Sequence, residues 1–377
     1  MATILGANTL SSGYNVANSV RFNDNDSPSM YKTPGSGGDQ RTWTFSTWFK
    51  RGNLDSDICK FLGYSANNGG GYIGIVSNEF YISDLTYSGG WTVTFSFDST
   101  RTLEDTSKWY HLMVAVDTTD STANDRVKLY IDGDRVTSLA TSTNPAQDLI
   151  SNYNGGSGTL YIGRRGYDTT NLLDGYMAET NFVDGTALTP STFGVTDTST
   201  GRWIPKTLSG ITYGNSGWRL TYADSSALGD DTSGNTNDFT VSNIVAGDQT
   251  TDSPTQNFAT FDPFDSGNNA GSTPGTAVLA EGNTRVTAPS NPSNWDQYRT
   301  SKPLLSGKYY VEVTLTSLNT ATYFGVISRN QNIKGGGWYS DQSTGWSYDS
   351  TNGKTENSNN GYISYGGARS QGDVVGI

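Results

Sequence analysis

Aromatic and β-branched residues alternate with small polar ones along much of this chain, and turn formers break the alternation every few residues. The clearest stretch is Arg41-Thr-Trp-Thr-Phe-Ser-Thr-Trp-Phe-Lys50, which sets Trp43, Phe45 and Thr47 on one face and starts the other with Trp48. A repeat of two is that of a half-buried strand, so this feature alone predicts strands. Ser19–Phe22, Phe61–Tyr64, Tyr72–Val76, Glu79–Ser83, Thr92–Phe97, Lys108–Val116, Val127–Ile131, Leu160–Ile162 and Gly175–Phe182 read the same way. Asp132-Gly133, between Leu129-Tyr-Ile131 and Arg135-Val136, is a hairpin signal. Many short strands with close turns predict an all-β sandwich rather than a βαβ fold.

Composition points the same way. Only six Glu occur in 377 residues, against 45 Gly, so long helices are disfavoured. Nine Trp, 22 Tyr and 14 Phe supply enough apolar area for real cores, which argues against global disorder. The net charge is −12 and no stretch clusters Lys and Arg, so no nucleic-acid partner is expected. An acidic, hydroxyl-rich surface suits neutral ligands such as glycans. Cys59 is the one cysteine, which excludes an intrachain disulfide and reads as a small buried residue. The longest apolar run, Leu112–Val116, is too short to cross a bilayer, so no membrane insertion is expected. Met1 to Val20 lacks the basic start and apolar core of a signal peptide.

Four segments follow from texture. Residues 1–18 are small and polar, a leader or attachment segment. Residues 19–199 carry the first set of strands. Residues 200–284 set short strand-like pieces, Trp218–Tyr222, Phe239–Val241 and Phe258–Phe261, in long Asp/Asn/Ser/Thr/Gly tracts, as a loop-rich connector or a small β domain. Residues 285–377 return to regular strands at Lys308–Leu315, Tyr323–Ser328, Trp346–Tyr348, Gly361–Tyr365 and Asp373–Ile377. The chain stops on an apolar strand with no turn after it, and the expectation is that the natural polypeptide continues.

Three stretches resemble a laminin G-like, concanavalin A-like lectin sandwich (jelly roll). They are Thr42–Phe49, then Lys108–Val116 with Arg126–Gly133, then Leu160–Gly163 with Leu173–Glu179, in family order. Ser306–Val313, Phe324–Ile327, Gly345–Tyr348 and Gly372–Ile377 resemble the first two-thirds of a SPRY domain, also a β-sandwich. Gly217–Phe239 and Asp248–Phe258, with these flanking parts, resemble virion proteins of tailed marine bacteriophages of the tail-fibre kind. The resemblance implies a virion-surface location, other virion proteins as partners, host-surface glycan as a ligand, and homo-oligomers such as trimers; no coiled-coil heptads accompany it.

A glycan site needs an exposed ring to stack on a sugar, with amides nearby for its hydroxyls. Trp91 after Gly89-Gly90, Tyr167 after Arg164-Arg-Gly166, and Trp338-Tyr339 after Gly335-Gly-Gly337 are the candidates, each with ordinary loop anchoring as the plainer reading. For calcium, Asp230, Asp231, Asn235, Asn237 and Asp238 concentrate hard oxygens within nine residues, though without EF-hand spacing; Asx-turns are the plainer reading. Asp24 with Asp26, and Asp132 with Asp134, are weaker candidates.

Glycoside hydrolysis needs two facing carboxylates, and the six Glu are scattered through the sequence without a paired motif. His111, the one histidine, has strand neighbours that mark it as structural, and one His with one Cys excludes an ordinary zinc site. The sequence thus predicts a non-catalytic surface protein that attaches a phage to host glycan. A decoration or assembly protein contacting only virion partners and a polysaccharide depolymerase stay open as alternatives.

Overall fold

The structure is a computed structural model that describes residues 14–54, 59–166, 172–268, 277–287, 296–302, 304, 309–317, 322–328, 330, 333, 345–351, 353–357, 361–364 and 366–377. The described chain divides into two compact units, one ending at Phe258 and the other starting at Ala259.

Two large antiparallel sheets make the first unit. One contains β1 (Ser19–Phe22), β3 (Thr42–Arg51), β8 (Tyr110–Asp117), β9 (Val127–Ile131), β10 (Asp134–Arg135) and β13 (Gly175–Asp184). β16 (Trp218–Leu220) and β18 (Gln249–Thr250) complete it, in the order β10-β9-β8-β3-β13-β1-β18 with β16 also pairing β13. The other contains β2 (Ser29–Lys32), β4 (Cys59–Ala66), β5 (Gly69–Val76), β6 (Glu79–Tyr87) and β7 (Trp91–Thr102). β11 (Leu139–Thr143), β12 (Thr159–Ile162) and β17 (Thr240–Ser242) join it, in the order β11-β7-β6-β5-β4-β12-β2-β17. β14 (Gly194–Thr196) and β15 (Trp203–Pro205) form a separate pair. The fold is an all-β jelly-roll sandwich, as the alternation predicts.

The inner faces meet in one core. Trp43, Phe45 and Phe49 of β3 pack there with Ile73 and Ile75 of β5, Ile82 of β6 and Leu112 and Val114 of β8. Trp48 points to the opposite face of the same strand, as the repeat of two requires. That face is covered too. Trp48 packs with Val16, Trp109, Tyr176 and Ala178, so β3 is buried on both sides for nearly its whole length. The predicted turn is present: Asp132 and Gly133 both have positive φ, the signature of a tight two-residue hairpin.

The unit reaches beyond both ends of the 19–199 segment drawn from texture. Tyr14 to Val16 lie against the outer face, where Val16 N–H donates to Thr255 Oγ1 at 3.0 Å. Residues 200–258 contribute β15 to β18, anchored by buried Trp218, Leu220 and Phe239. Their polar tracts tie back the same way: Asp252 accepts from buried Lys50 at 2.9 Å and from Trp109 Nε1 at 2.9 Å. Lys50 also donates to Asn257 Oδ1 and to the Phe258 carbonyl.

The second unit contains a four-stranded antiparallel meander, Tyr323–Ile327, Gly345–Asp349, Lys354–Asn357 and Gly361–Ser364. Three strand pairs accompany it: Phe261–Asn268 with Asp296–Thr300, Val278–Ala280 with Arg285–Thr287, and Glu312–Thr314 with Val374–Gly376.

Removing one partner of a buried ion pair leaves an uncompensated charge. Asp252→Ala should therefore lower unfolding free energy by about 3–5 kcal/mol in urea titration, and a loss under about 1 kcal/mol would show that Lys50 does not depend on it.

Candidate binding site

A cleft of about 210 Å³ opens where β4 turns into β5, lined by Gln40, Tyr64, Ala66, Asn67, Asn68, Asn152 and Ser157. Asn67 and Asn68 form the turn itself, and Gly69 opens the next strand. A Cβ on Gly69 would sit 2.2 Å from Asn152 Oδ1, so only glycine lets Asn152 lie against β5.

Asn152 is held from beneath. Its Nδ2 donates to Asp84 Oδ1 and to the Leu85 carbonyl, both at 2.8 Å, and its backbone N–H donates to Asp84 at 3.2 Å. Thr94 Oγ1 donates to the same carboxylate at 2.9 Å. Asp84 is buried, and loss of solvation raises its carboxyl to about 6, with the Asn152 and Thr94 hydrogen bonds opposing. The Gln40 amide donates to the Ser151 carbonyl at 2.5 Å, and Ser151 Oγ returns a bond to the Gln40 carbonyl at 2.8 Å. Fixed amides of this kind present donors and acceptors without an ordering cost on binding.

An aromatic pair stands on the adjoining β6–β7 hairpin. Tyr87 N–H donates to the Asn68 carbonyl at 2.8 Å, joining the β6–β7 hairpin to the cleft turn. Tyr87 and Trp91 face each other across that hairpin with ring centroids 5.1 Å apart. Trp91 is 52% exposed and Tyr87 43%. Rings left half in water beside fixed amides are what a sugar face requires.

Of the sequence candidates, Trp91 lies on this hairpin opposite Tyr87, whereas Tyr167, Trp338 and Tyr339 lie outside the described residues. Tyr87, Asn67 and Asn68 were not singled out, though the Asn-Asn-Gly-Gly-Gly run was a visible turn signal. Asn152 and Gln40 reach the cleft through long-range contacts that leave no local signal.

The calcium candidates are engaged otherwise. Asp231 accepts four bonds, from the N–H groups of Arg219, Ser233 and Asn237 and from Ser233 Oγ, at 2.8–2.9 Å. Asp238 accepts from Asp231 N–H at 2.9 Å, and Asn235 and Asn237 both donate to the Gly217 carbonyl. Asp230 is exposed. These are largely Asx-type bonds that tie a loop, and both oxygens of Asp231 accept within it. Among the described residues no group of three or more His, Cys, Asp or Glu converges on a metal position.

Glu179 sits at a bulge of β13, with positive φ, between residues that pair in shifted register with β3. Its carboxylate takes three bonds from Arg219 at 2.8–3.1 Å and one from Tyr14 Oη at 2.7 Å. His111 is fully buried. Trp203 Nε1 can only donate, so at 3.1 Å it fixes His111 Nδ1 as acceptor and leaves Nε2–H to donate to Ser46 Oγ at 2.8 Å. Burial pushes His111 down to about 4, against the opposing charge of Asp132.

Residues 16–192 match the family model described as the concanavalin A-like lectin/glucanases superfamily. That stretch has the jelly-roll sandwich fold and is similar to that superfamily. Among solved structures, the chain is similar to a heptameric SAP-like pentraxin from Limulus polyphemus, at 13% identity and TM-score 0.33, covering 47% of this chain and 80% of that one. It is also similar to domains LG4-5 of the mouse laminin alpha1 chain, at 11% identity and TM-score 0.32, covering 56% of this chain and 50% of that one. No curated protein matches it by sequence. No helix among the described residues is long and apolar enough to cross a membrane.

The two buried titrating groups act with opposite sign. Asp84 holds its proton more tightly folded than unfolded, so its stability contribution is complete below pH 3.8 and is lost as pH rises through about 6. His111 contributes stability that is complete above pH 6.5 and is lost as pH falls through about 4. Asp84→Asn removes the first term, worth about 3 kcal/mol across that window. Urea midpoints between pH 4 and 6.5 should then rise more steeply with pH in the variant than in the parent; equal slopes would contradict the assignment.

Proposed function

We propose that this chain is a non-catalytic, glycan-binding protein of a bacteriophage particle surface, of the tail-fibre or appendage kind. The observation that carries the binding reading is the half-exposed Trp91–Tyr87 pair beside a cleft lined by fixed amides, on a lectin-type sandwich. Stacking on the pair would take an apolar sugar face, and the carboxamides of Asn67, Asn68 and Gln40 would meet its hydroxyls. Support for a non-catalytic role comes from the side chains themselves. Glu179, the buried Glu of the sandwich, is consumed by Arg219 and Tyr14, and His111 is locked between Trp203 and Ser46.

The particle-surface part rests on the resemblance of Gly217–Phe239 and Asp248–Phe258 to phage virion proteins. The second unit is assigned to a SPRY-like sandwich on the same footing, with its four-stranded meander in support. Homo-oligomers and virion-protein partners follow from that resemblance.

A glycan array with the purified chain is expected to select neutral glycans, and Trp91→Ala should weaken the selected ligand about tenfold, the loss of one aromatic platform of roughly 1–2 kcal/mol. An empty array would favour a role confined to virion contacts, and release of reducing ends from host polysaccharide would establish a depolymerase instead.

A further inference from the structure

Three side chains that the cleft does not use meet on the outer face of the first sheet. Lys50, near the end of β3, is fully buried, and Asp252 and Asn257 beside it are 3% and 5% exposed. Lys50 Nζ donates to Asp252 Oδ2 at 2.9 Å and to the carboxamide oxygen of Asn257, Oδ1, at 3.1 Å. A third bond runs to the Phe258 carbonyl at 2.9 Å. Each partner is fixed in turn. Asp252 Oδ1 accepts from Trp109 Nε1 at 2.9 Å and from Phe258 N–H at 3.2 Å. Asn257 Nδ2 donates to the Ser107 carbonyl at 2.8 Å, which turns Oδ1 toward the amine. Trp109 and Tyr176 are buried beside them, with the Tyr176 centroid 5.9 Å from Nζ.

An ion pair needs only an amine and a carboxylate. Here a carboxamide completes a nucleophile, a proton acceptor and an acyl carbon, held together away from water. We propose that Lys50 and Asn257 join in an intramolecular amide (isopeptide) bond, with Asp252 carrying the protons. Asp252 takes one proton from the Lys50 ammonium along the hydrogen bond that already joins them, leaving a neutral amine. Its lone pair attacks Asn257 Cγ, one bond beyond the oxygen that Nζ already touches. The Nζ–Cγ bond forms and the Cγ–Nδ2 bond breaks. A second Nζ proton passes to Nδ2 and Asp252 returns the first, so ammonium leaves and the carboxylate is restored. No oxidant or other reactant enters. Groups held in this way react as though at very high concentration, and a dry site suppresses competing hydrolysis.

The bond joins positions 207 apart in the sequence. It ties β3, which is paired on both sides, to the last residues of the first unit, which ends at Phe258. Tension on the chain beyond Phe258 then passes into β3 through a covalent link, and the strands between stay unloaded. Closing so long a loop also removes freedom from the unfolded chain.

Mass spectrometry of the purified chain tests the proposal without a ligand. The parent is expected about 17 Da below its sequence mass, the loss of one ammonia. Asn-Gly sequences also lose ammonia when they form succinimides, so the tryptic map decides. Thr42–Arg51 and Leu220–Arg285 should leave as one branched peptide, uncut after Lys50. Asp252→Asn should restore the full mass and separate the two peptides, with the circular dichroism of the parent showing that it folds. Asn257→Ala should separate them as well. The parent map stands whether or not either variant folds. A parent at full mass, an ammonia loss without the branched peptide, or a cross-link that persists in Asp252→Asn would each overturn the proposal. So would a loss of about 18 Da, one water, with the bond on Asp252.

Discussion

A column of packed rings runs through the sandwich and joins the parts of the chain that sequence texture separates. Tyr64 packs on Tyr153, Tyr153 on Trp43, Trp43 on Phe182, Phe182 on Trp218 and Trp218 on Phe239, with centroids 4.8–6.4 Å apart throughout. All six are buried. Large rings bring the most apolar area per residue and hold few rotamers, so a column of them fixes spacing as well as stability. Its near end underlies the cleft, because Tyr64 is a cleft wall and Tyr153 follows Asn152. Its far end is Trp218 and Phe239, which bind residues 200–258 into the same core.

This coupling explains how a polar, glycine-rich chain supports a fixed surface. Two cleft amides are held by buried partners, Asn152 by Asp84 and Gln40 by Ser151, while the Asn68 carbonyl takes the Tyr87 N–H. Asp84 retains a carboxyl in a dry position at the expense of a raised pKa, and in return orients both donors of Asn152. Polar groups bound this way specify position at little cost in side-chain freedom when a ligand arrives.

Much of the fold was legible because its signals are local. The repeat of two placed Trp43, Phe45 and Trp48 on their correct faces, and Asp132-Gly133 declared its hairpin. The two-sided burial of β3 was not legible, since it depends on Val16 and Asp252, far away in sequence. Residues 200–258, part of the 200–284 stretch that reads as a connector or a small β domain, hide their place in the sandwich because their anchors are sparse and their Asp and Asn side chains cap loop amides instead of packing. For the site, Trp91 stood out as a ring after two glycines. Its companions Asn152 and Gln40 did not, because only the closed sandwich brings them to the β4–β5 turn.

The central claim is that a neutral sugar docks on the Trp91–Tyr87 pair with its hydroxyls on the amides of the neighbouring cleft. A crystal structure of the chain with its selected neutral oligosaccharide tests this most directly. The account predicts a pyranose face against Trp91 and hydrogen bonds to the carboxamides of Asn67, Asn68 or Gln40. A sugar seated elsewhere on the sandwich, with that pair bare, would contradict it.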